Sequence, residues 1–209
     1  MRTVRKSLVA LAALFMLFSA QAFAQFLTPF TADMAVKQKT GESMDGKVFV
    51  GEHKIRMDFD ARGHQMITIT DPATQTSYML MPERKMYMEI HGGQNPMQRG
   101  PKLPDLKSFD PNNPCANNPD TTCEKAGAET VNGRSCEKWI FKDNKNGEVT
   151  TAWIDQKLHF PVKSINSDGS EFELTNIKED APPASTFDIP AGYQKFDMGA
   201  MMGGRMPQQ

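Results

Sequence analysis

The sequence predicts a mainly β protein built on one large, curved antiparallel sheet with few short helices. Three observations support this fold class. Apolar and polar side chains alternate along successive short segments between Phe30 and Ile177, which is the period of half-buried strands. Turn-forming pairs such as Asn146-Gly147 and Asp168-Gly169 separate the segments, and helical periodicity is scarce. Consecutive hairpins with one apolar face assemble into a sheet that curves over that face.

The first half of the chain contains six predicted strands, each bounded by a turn signal. The clearest is the alternation of Ile55, Met57 and Phe59 with charged residues. Asp71-Pro72 ends the fourth strand, and the turn at 82–85 joins the fifth strand to the sixth. The predicted strands are 30–37, 47–50, 55–60, 65–70, 78–81 and 86–90.

The regular pattern stops in a segment rich in proline and asparagine, at about residues 92–126. Proline lacks a backbone donor and favours turns, so we expect no regular ladder there. A segment of this length inside a compact domain is usually functional or disordered. Strands are predicted to resume at Gly133 and to occupy 133–141, 149–154, 161–166 and 172–177. The Met- and Gly-rich residues 197–209 are predicted to be a disordered tail.

The first 24 residues have the features of a cleaved export signal. Arg2, Arg5 and Lys6 precede an uncharged apolar run at residues 8–20, which is short for a membrane span. Small residues at Ala22 and Ala24 fit the cleavage site, so we expect a periplasmic protein that begins at Gln25 and has a single domain at 25–196. No cysteine stands at this site, and we therefore expect no lipid anchor. The alternative is an uncleaved membrane anchor.

The charge of the mature chain argues against nucleic-acid binding. Without the signal, 21 basic residues face 25 acidic ones, a net charge of about −4 with histidine neutral. Such a chain has no general attraction for nucleic acids or for an anionic membrane surface. Transient contact with a membrane stays compatible with this charge.

Three cysteines remain after export, which allows one internal disulfide and one leftover thiol. Cys115 and Cys123 flank a short, polar, turn-rich loop and are the favoured pair, because short loops close easily. The competing pair is Cys123 with Cys136. A catalytic thiol is disfavoured, because the chain has no Cys-x-x-Cys and no histidine close to a cysteine in sequence.

Two blocks of the sequence carry four distinctive features: Arg56-Met57-Asp58, Tyr87, Trp153-Ile154-Asp155 followed by Phe160-Pro161, and Phe187-Asp188-Ile189-Pro190 with Gly192-Tyr193. In these features the blocks resemble a family of uncharacterised exported bacterial domains, which in turn resembles the periplasmic lipoprotein carrier and receptor (Lol) superfamily. The resemblance covers about residues 28–196, on either side of the proline-rich segment. It implies an open half-barrel of antiparallel strands around an apolar cavity, used to carry acyl chains or other hydrophobic ligands. The matching motifs indicate a shared fold more than a shared chemistry. The resemblance therefore implies no specific ligand-contacting residue in this chain.

Methionines are the most distinctive local feature, with 13 in the mature chain. Met79 and Met81 lie on one arm of a predicted hairpin, and Met86 and Met88 lie on the other. If the loop is symmetric, Met81 faces Met86 and Met79 faces Met88, so all four thioethers share one face. Three interpretations stay open: plain core packing, an adaptable lining for acyl chains, and a soft-metal site for Cu(I).

Other candidate chemistry is weak. The four histidines, His53, His64, His91 and His159, fall in or near predicted turns without metal-ligand spacing, and we expect them to be exposed. No nucleophile, zinc-peptidase, phosphate-loop or dinucleotide motif is present, so we expect no enzyme, no cofactor and no resident metal. Trp139 and Trp153 are predicted on paired strands as a packed core pair or as cavity wall.

The function that the sequence favours is non-enzymatic binding of a hydrophobic small molecule or a lipoprotein. The predicted ligand-lining residues are Met79, Met81, Met86 and Met88, with Met57, Phe59 and Trp139 as additional candidates. The alternatives are a periplasmic Cu(I)-binding protein that uses the same methionines, and a structural or sensor module whose proline-rich segment contacts a protein partner.

Overall fold

The computed structural model describes residues 28–61, 63–91, 114–115 and 119–196, which form one open sheet of twelve strands. The predicted fold class is therefore confirmed. The signal peptide predicted at 1–24 and the tail predicted at 197–209 lie outside the described residues. None of the helical turns described is long and apolar enough to cross a membrane. The strands are β1 (Phe30–Lys37), β2 (Ser43–Val50), β3 (Ile55–Ala61), β4 (His64–Asp71), β5 (Thr76–Met81), β6 (Met86–His91), β7 (Thr121–Val131), β8 (Arg134–Asp143), β9 (Val149–Asp155), β10 (Pro161–Asn166), β11 (Glu171–Lys178) and β12 (Gln194–Lys195).

The order of the strands explains the long central connection. The sheet runs β12-β6-β5-β4-β3-β2-β1-β11-β10-β9-β8-β7, and among these described strands β12 is the one that pairs in parallel. Consecutive strands β6 and β7 therefore lie ten strand positions apart. At about 4.8 Å per strand, β6 and β7 are roughly 48 Å apart along the sheet. A tight turn cannot span that distance, and so a long connection is required by the topology.

Two strands depart from the sequence-based expectation. Strands were expected to resume at Gly133, but β7 begins at Thr121 and includes the last residues of the predicted insert. It is an edge strand, exposed over most of its length, with a register shift between Lys125 and Gly127. An exposed edge strand has no buried face and hence no alternation to detect. The short β12 forms only because the chain returns to the edge of β6.

The main core lies around the centre of the sheet. Phe30 and Phe160 are fully buried there, and their rings pack edge to face with centroids 5.3 Å apart. Val48, Val50 and Leu174 are equally buried. These side chains come from β1, β2 and β11 and from the β9–β10 turn, so the core joins the two halves of the chain. Burial of a side chain of this size contributes about 1.5–3 kcal/mol.

The two tryptophans lie on paired strands, as predicted, but they do not form a packed pair. Trp139 is opposite Ala152 and Trp153 is opposite Lys138 in the β8–β9 ladder. Adjacent rungs point to opposite faces of a sheet, so the two indoles are separated by it. Trp139 packs with Ile154 in a small cluster, whereas Trp153 joins the main core.

Cys115 and Cys123 are joined in a disulfide, with Cα atoms 5.8 Å apart. The bond ties the start of β7 to the segment that precedes it. Cys136 is a free, fully buried thiol. Burial raises the pKa of the Cys136 thiol, which makes it a weak nucleophile.

Asp155 organises the turn that joins β9 to β10. Its side chain is buried, with the residue 1% exposed, and one carboxylate oxygen accepts hydrogen bonds from the backbone N–H groups of Lys157 and Leu158, both at 2.8 Å. The other oxygen accepts a hydrogen bond from Arg134, which also reaches Glu179 at 3.0 Å. Burial alone would raise the pKa of Asp155, but these hydrogen bonds outweigh it and the pKa lies below its ordinary value.

We predict that Asp155 makes the fold sensitive to acid. Because its folded-state pKa is below the unfolded value of 3.8, its contribution to stability is complete above that value. The contribution is lost as the pH falls through the lowered folded-state pKa. Urea unfolding at pH 7 and pH 3 should show a smaller loss of stability in Asp155→Asn than in the wild type. Equal losses in the two proteins would contradict the assignment.

Candidate binding face

The β5–β6 turn fixes the register of the methionine hairpin. Residues Pro82–Arg84 form a single 3-10 turn, which ends at Lys85 in the left-handed conformation with φ of 49°. The N–H of Lys85 donates to the carbonyl of Pro82 at 3.1 Å. This four-residue loop places Met81 opposite Met86 and therefore Met79 opposite Met88. The register predicted from a symmetric loop is confirmed.

The same face continues across β3 and β4. In the ladders, Met57 lies opposite Thr68, and Thr68 lies opposite Met79. Phe59 lies opposite Met66, a residue whose place on this face was not predicted from the sequence. Twelve positions in the central part of the paired strands β3–β6 point to this face, and six of them are methionine. We call this set of positions on β3–β6 the methionine face: Ile55, Met57, Phe59, Met66, Thr68, Thr70, Ser77, Met79, Met81, Met86, Met88 and Ile90.

Burial varies within the methionine face. Met79, at its centre, is 5% exposed, and the other five methionines are half-buried. Met57 and Phe59 pack against the main core, so the face is continuous with it. Half-buried methionines retain surface that a ligand can cover, and their unbranched side chains adapt to its shape.

Trp139, the remaining predicted lining residue, is not part of this cluster. It lies on β8, six strand positions from β3, beside Phe141 and Ile154. Lys125 lies over its ring at 5.8 Å, and its indole N–H donates to Glu137 at 3.3 Å. Its polar group is already satisfied, and its surroundings are those of a packed side chain.

The opposite face of the same strands is covered by the C-terminal segment. Phe187 packs there against Ile67, Ile69 and Leu80, beside Tyr193. An added Cβ at Gly51 would lie 2.8 Å from the ring of Phe187, so glycine leaves the space that the ring occupies. The methionine face is therefore the one that this segment leaves uncovered.

Arg56 and Asp58 hold the C-terminal segment in place. The Arg56 guanidinium donates to both carboxylate oxygens of Asp58, at 2.6 and 2.8 Å, and its third contact is to the carbonyl of Thr186 at 2.8 Å. Asp58 orients the guanidinium, and the guanidinium anchors the segment that carries Phe187. The Arg-x-Asp motif is thus a structural device in this chain.

The histidines add no cluster of metal ligands to the methionine face. All four are exposed, as predicted. His91 pairs with Thr76, and the side chains of this pair point to the face opposite the methionines. His64 shares the side of Met66 but lies at the very start of β4, where its Nδ1 is 3.0 Å from a carboxylate oxygen of Glu83. Within the described residues, no group of three or more His, Cys, Asp or Glu side chains is placed to hold a metal ion.

A groove lined by both polar and apolar residues lies elsewhere on the sheet, at the junction of β1, β2 and β11. Its volume is about 590 Å³. Lys47 and Asn176 both bind the carboxylate of Asp33 there, at 2.7 and 2.8 Å. Because charged side chains line this groove and would have to be desolvated, it suits an apolar ligand less well than the methionine face does. It is lined by Thr31, Ala32, Asp33, Lys47, Val48, Phe49, Asn176, Ile177 and Lys178.

Comparison with solved structures gives similar folds at low identity. An uncharacterized conserved protein from Thermus thermophilus aligns with a TM-score of 0.54 and 10% identity, over 81% of this chain and 90% of that one. PNGF-II aligns with a TM-score of 0.52 and 6% identity, over 84% of this chain and 32% of that one. A LolA superfamily protein from Nitrosomonas europaea aligns with a TM-score of 0.37 and 9% identity, over 78% and 90% of the two chains.

The first two similarities, at 10% and 6% identity, show a shared fold and nothing further. A comparison with curated proteins finds no significant match. A family model described as "Domain of unknown function (DUF4412)" matches residues 31–159, more than half of the 209 residues. The resemblance to an uncharacterised domain family is therefore confirmed, and the chain belongs to the DUF4412 family.

Proposed function

We propose that the protein is a non-enzymatic, periplasmic binding protein that holds a lipid, an acyl chain or the lipid moiety of a lipoprotein on the methionine face. The observation that carries this proposal is the segregation of side chains on β3–β6. All six methionines of these strands lie on one face, together with Phe59 and Ile90. The disulfide supports an oxidising compartment, in agreement with the export signal predicted at 1–24.

The chemistry of the face suits a hydrophobic ligand. Its polar members, Thr68, Thr70 and Ser77, are uncharged, and every Asp, Glu and Arg side chain of β3–β6 in the described ladders points to the opposite face. Covering apolar surface contributes about 25 cal/mol per Å² before the entropic costs of binding. Flexible thioethers accommodate chains of different shape.

The expected result of truncating this face is weaker binding of an acyl probe. In Met81→Ala/Met88→Ala, two half-buried side chains lose apolar surface, and we expect the Kd for a fluorescent fatty acid to rise about tenfold or more. Fluorescence titration of the mature protein measures this Kd. Both residues are half-buried, so the fold should tolerate the change better than a change at Met79.

A matched control is available on the other half of the sheet. Ile140 and Ile165 are also half-buried, on β8 and β10. Ile140→Ala/Ile165→Ala should bind the probe as the wild type does. If the methionine variant is folded by circular dichroism and its probe affinity equals that of the wild type, the ligand does not bind on this face and the proposal is wrong.

A further inference from the structure

We propose that the four methionines of the β5–β6 hairpin form a Cu(I) site, a function that is separate from the binding of an apolar ligand. We call Met79, Met81, Met86 and Met88 the methionine quartet. The register places two directly opposed pairs on neighbouring rungs of the same face. The quartet is therefore a two-by-two array of thioethers held by a single tight turn.

The dimensions of the array suit one metal ion. Directly opposed residues in an antiparallel pair have Cβ atoms about 4.5–5.5 Å apart. Residues two apart along a strand are separated by about 6.8 Å. A methionine side chain is unbranched and has three rotatable bonds, so the four sulfur atoms can converge above the centre of the array. Three of the four side chains are half-buried, so an ion can reach them.

The donor set determines which ion is bound. Thioethers are soft, neutral donors that favour Cu(I), whereas Zn(II) and Cu(II) prefer imidazole, carboxylate or thiolate ligands. His91, on the hairpin itself, lies on the opposite face, and His64 at the start of β4 contacts Glu83. A thioether also forms no disulfide, so the site persists where Cys115 and Cys123 are oxidised.

Methionine is more frequent on this face than in the main core. The main core has fifteen buried members among the described residues, and Met34 is the one methionine in that set; most of the others are valine, phenylalanine and leucine. On the methionine face, half of the positions are methionine. Branched and aromatic residues are favoured in strands, and an apolar surface alone would be served by them. The enrichment places thioether sulfur, as well as flexible side chains, where a ligand can reach it.

The test is a Cu(I) titration of the mature protein, without oxygen and with ascorbate, in competition with bicinchoninic acid. We expect the wild type to bind one Cu(I) per chain in this site. Met81→Leu/Met86→Leu keeps the side-chain volume and removes two donors, and we expect its affinity to fall at least about tenfold. Met88→Leu alone should show a smaller fall in Cu(I) affinity. This single variant replaces the double variant in the test if the double variant does not fold.

Control variants keep the interpretation unambiguous. Met34→Leu/Met44→Leu removes two methionines from β1 and β2 and should bind Cu(I) like the wild type. Equal affinity in wild type and quartet variants, or loss of the site in Cys136→Ala, would overturn the proposal. A nitrogen ligand in the X-ray absorption spectrum of the Cu(I) complex would do the same.

The same variants separate this proposal from the proposed function. Leucine keeps most of the apolar surface but removes the sulfur, so Met81→Leu/Met86→Leu should lower the affinity for Cu(I) much more than the affinity for the fatty-acid probe. Alanine removes both the surface and the sulfur, so it should weaken both. If the protein does not bind the fatty-acid probe, the Cu(I) titration still tests the Cu(I) site. If the protein does not bind Cu(I), the fluorescence titration still tests acyl binding.

Discussion

Replacement of Asp155 by alanine is expected to lower the free energy of unfolding by about 3–5 kcal/mol, which is the typical effect of breaking a buried ion pair by removing one partner. The residue is 1% exposed, and its carboxylate accepts hydrogen bonds from two backbone N–H groups and from Arg134. Without it, the N–H groups of Lys157 and Leu158 lose their acceptor in the β9–β10 turn, and Arg134 keeps only Glu179 as a carboxylate partner.

Urea unfolding followed by tryptophan fluorescence measures this loss. Asp180→Ala is the matched control, because Asp180 is an exposed aspartate close to Glu179 in sequence. We expect its unfolding free energy to stay within about 0.5 kcal/mol of the wild type. A loss below about 1 kcal/mol in Asp155→Ala would show that the turn does not depend on the carboxylate.

The second large effect is expected at Phe187. Phe187→Ala should lower the free energy of unfolding by about 3–5 kcal/mol, because phenylalanine truncation in a core leaves a cavity that neighbours fill only in part. The ring is buried, with the residue 8% exposed, and packs on Ile67, Ile69 and Leu80. These residues lie on the face opposite the methionines, so the C-terminal segment stabilises the sheet from behind the proposed binding face.

Asp188→Ala is the control for this prediction, since Asp188 follows Phe187 and is exposed. It should leave the urea midpoint almost unchanged. At low urea, folded Phe187→Ala should still bind the fatty-acid probe, because the methionine face does not include the segment that the ring anchors. A small loss of stability in Phe187→Ala would mean that the segment contributes little to the fold.

The local rules of strands and turns account for what could be predicted about the candidate site. Strict alternation places Met79 and Met81 on one face, and the four-residue turn sets their pairing with Met86 and Met88. Met57 and Phe59 follow by the same alternation along β3. These predictions needed only neighbours in sequence. The ligand-lining role of these residues stays a prediction.

Long-range pairing accounts for what could not be predicted. Met66 belongs to the methionine face because β4 pairs with β3 in this register. The position of Trp139 depends on the order of all the strands between β3 and β8. The edge strand β7 has no buried face to leave a pattern, and β12 exists only where the C-terminal segment meets the edge of β6.

The fold class, most strand positions and the face on which the hairpin methionines lie follow from the amino-acid sequence. These depend on the two-residue period of strands and on turn residues, which act over a few neighbouring residues. Long-range contacts decided three other features: the C-terminal segment, held by Arg56, covers one side of β3–β6 with Phe187, the six methionines of these strands form one surface on the other side, and the sheet separates the tryptophans. Such features depend on which distant segments meet, because burial and side-chain contacts are properties of the assembled sheet and not of any one strand.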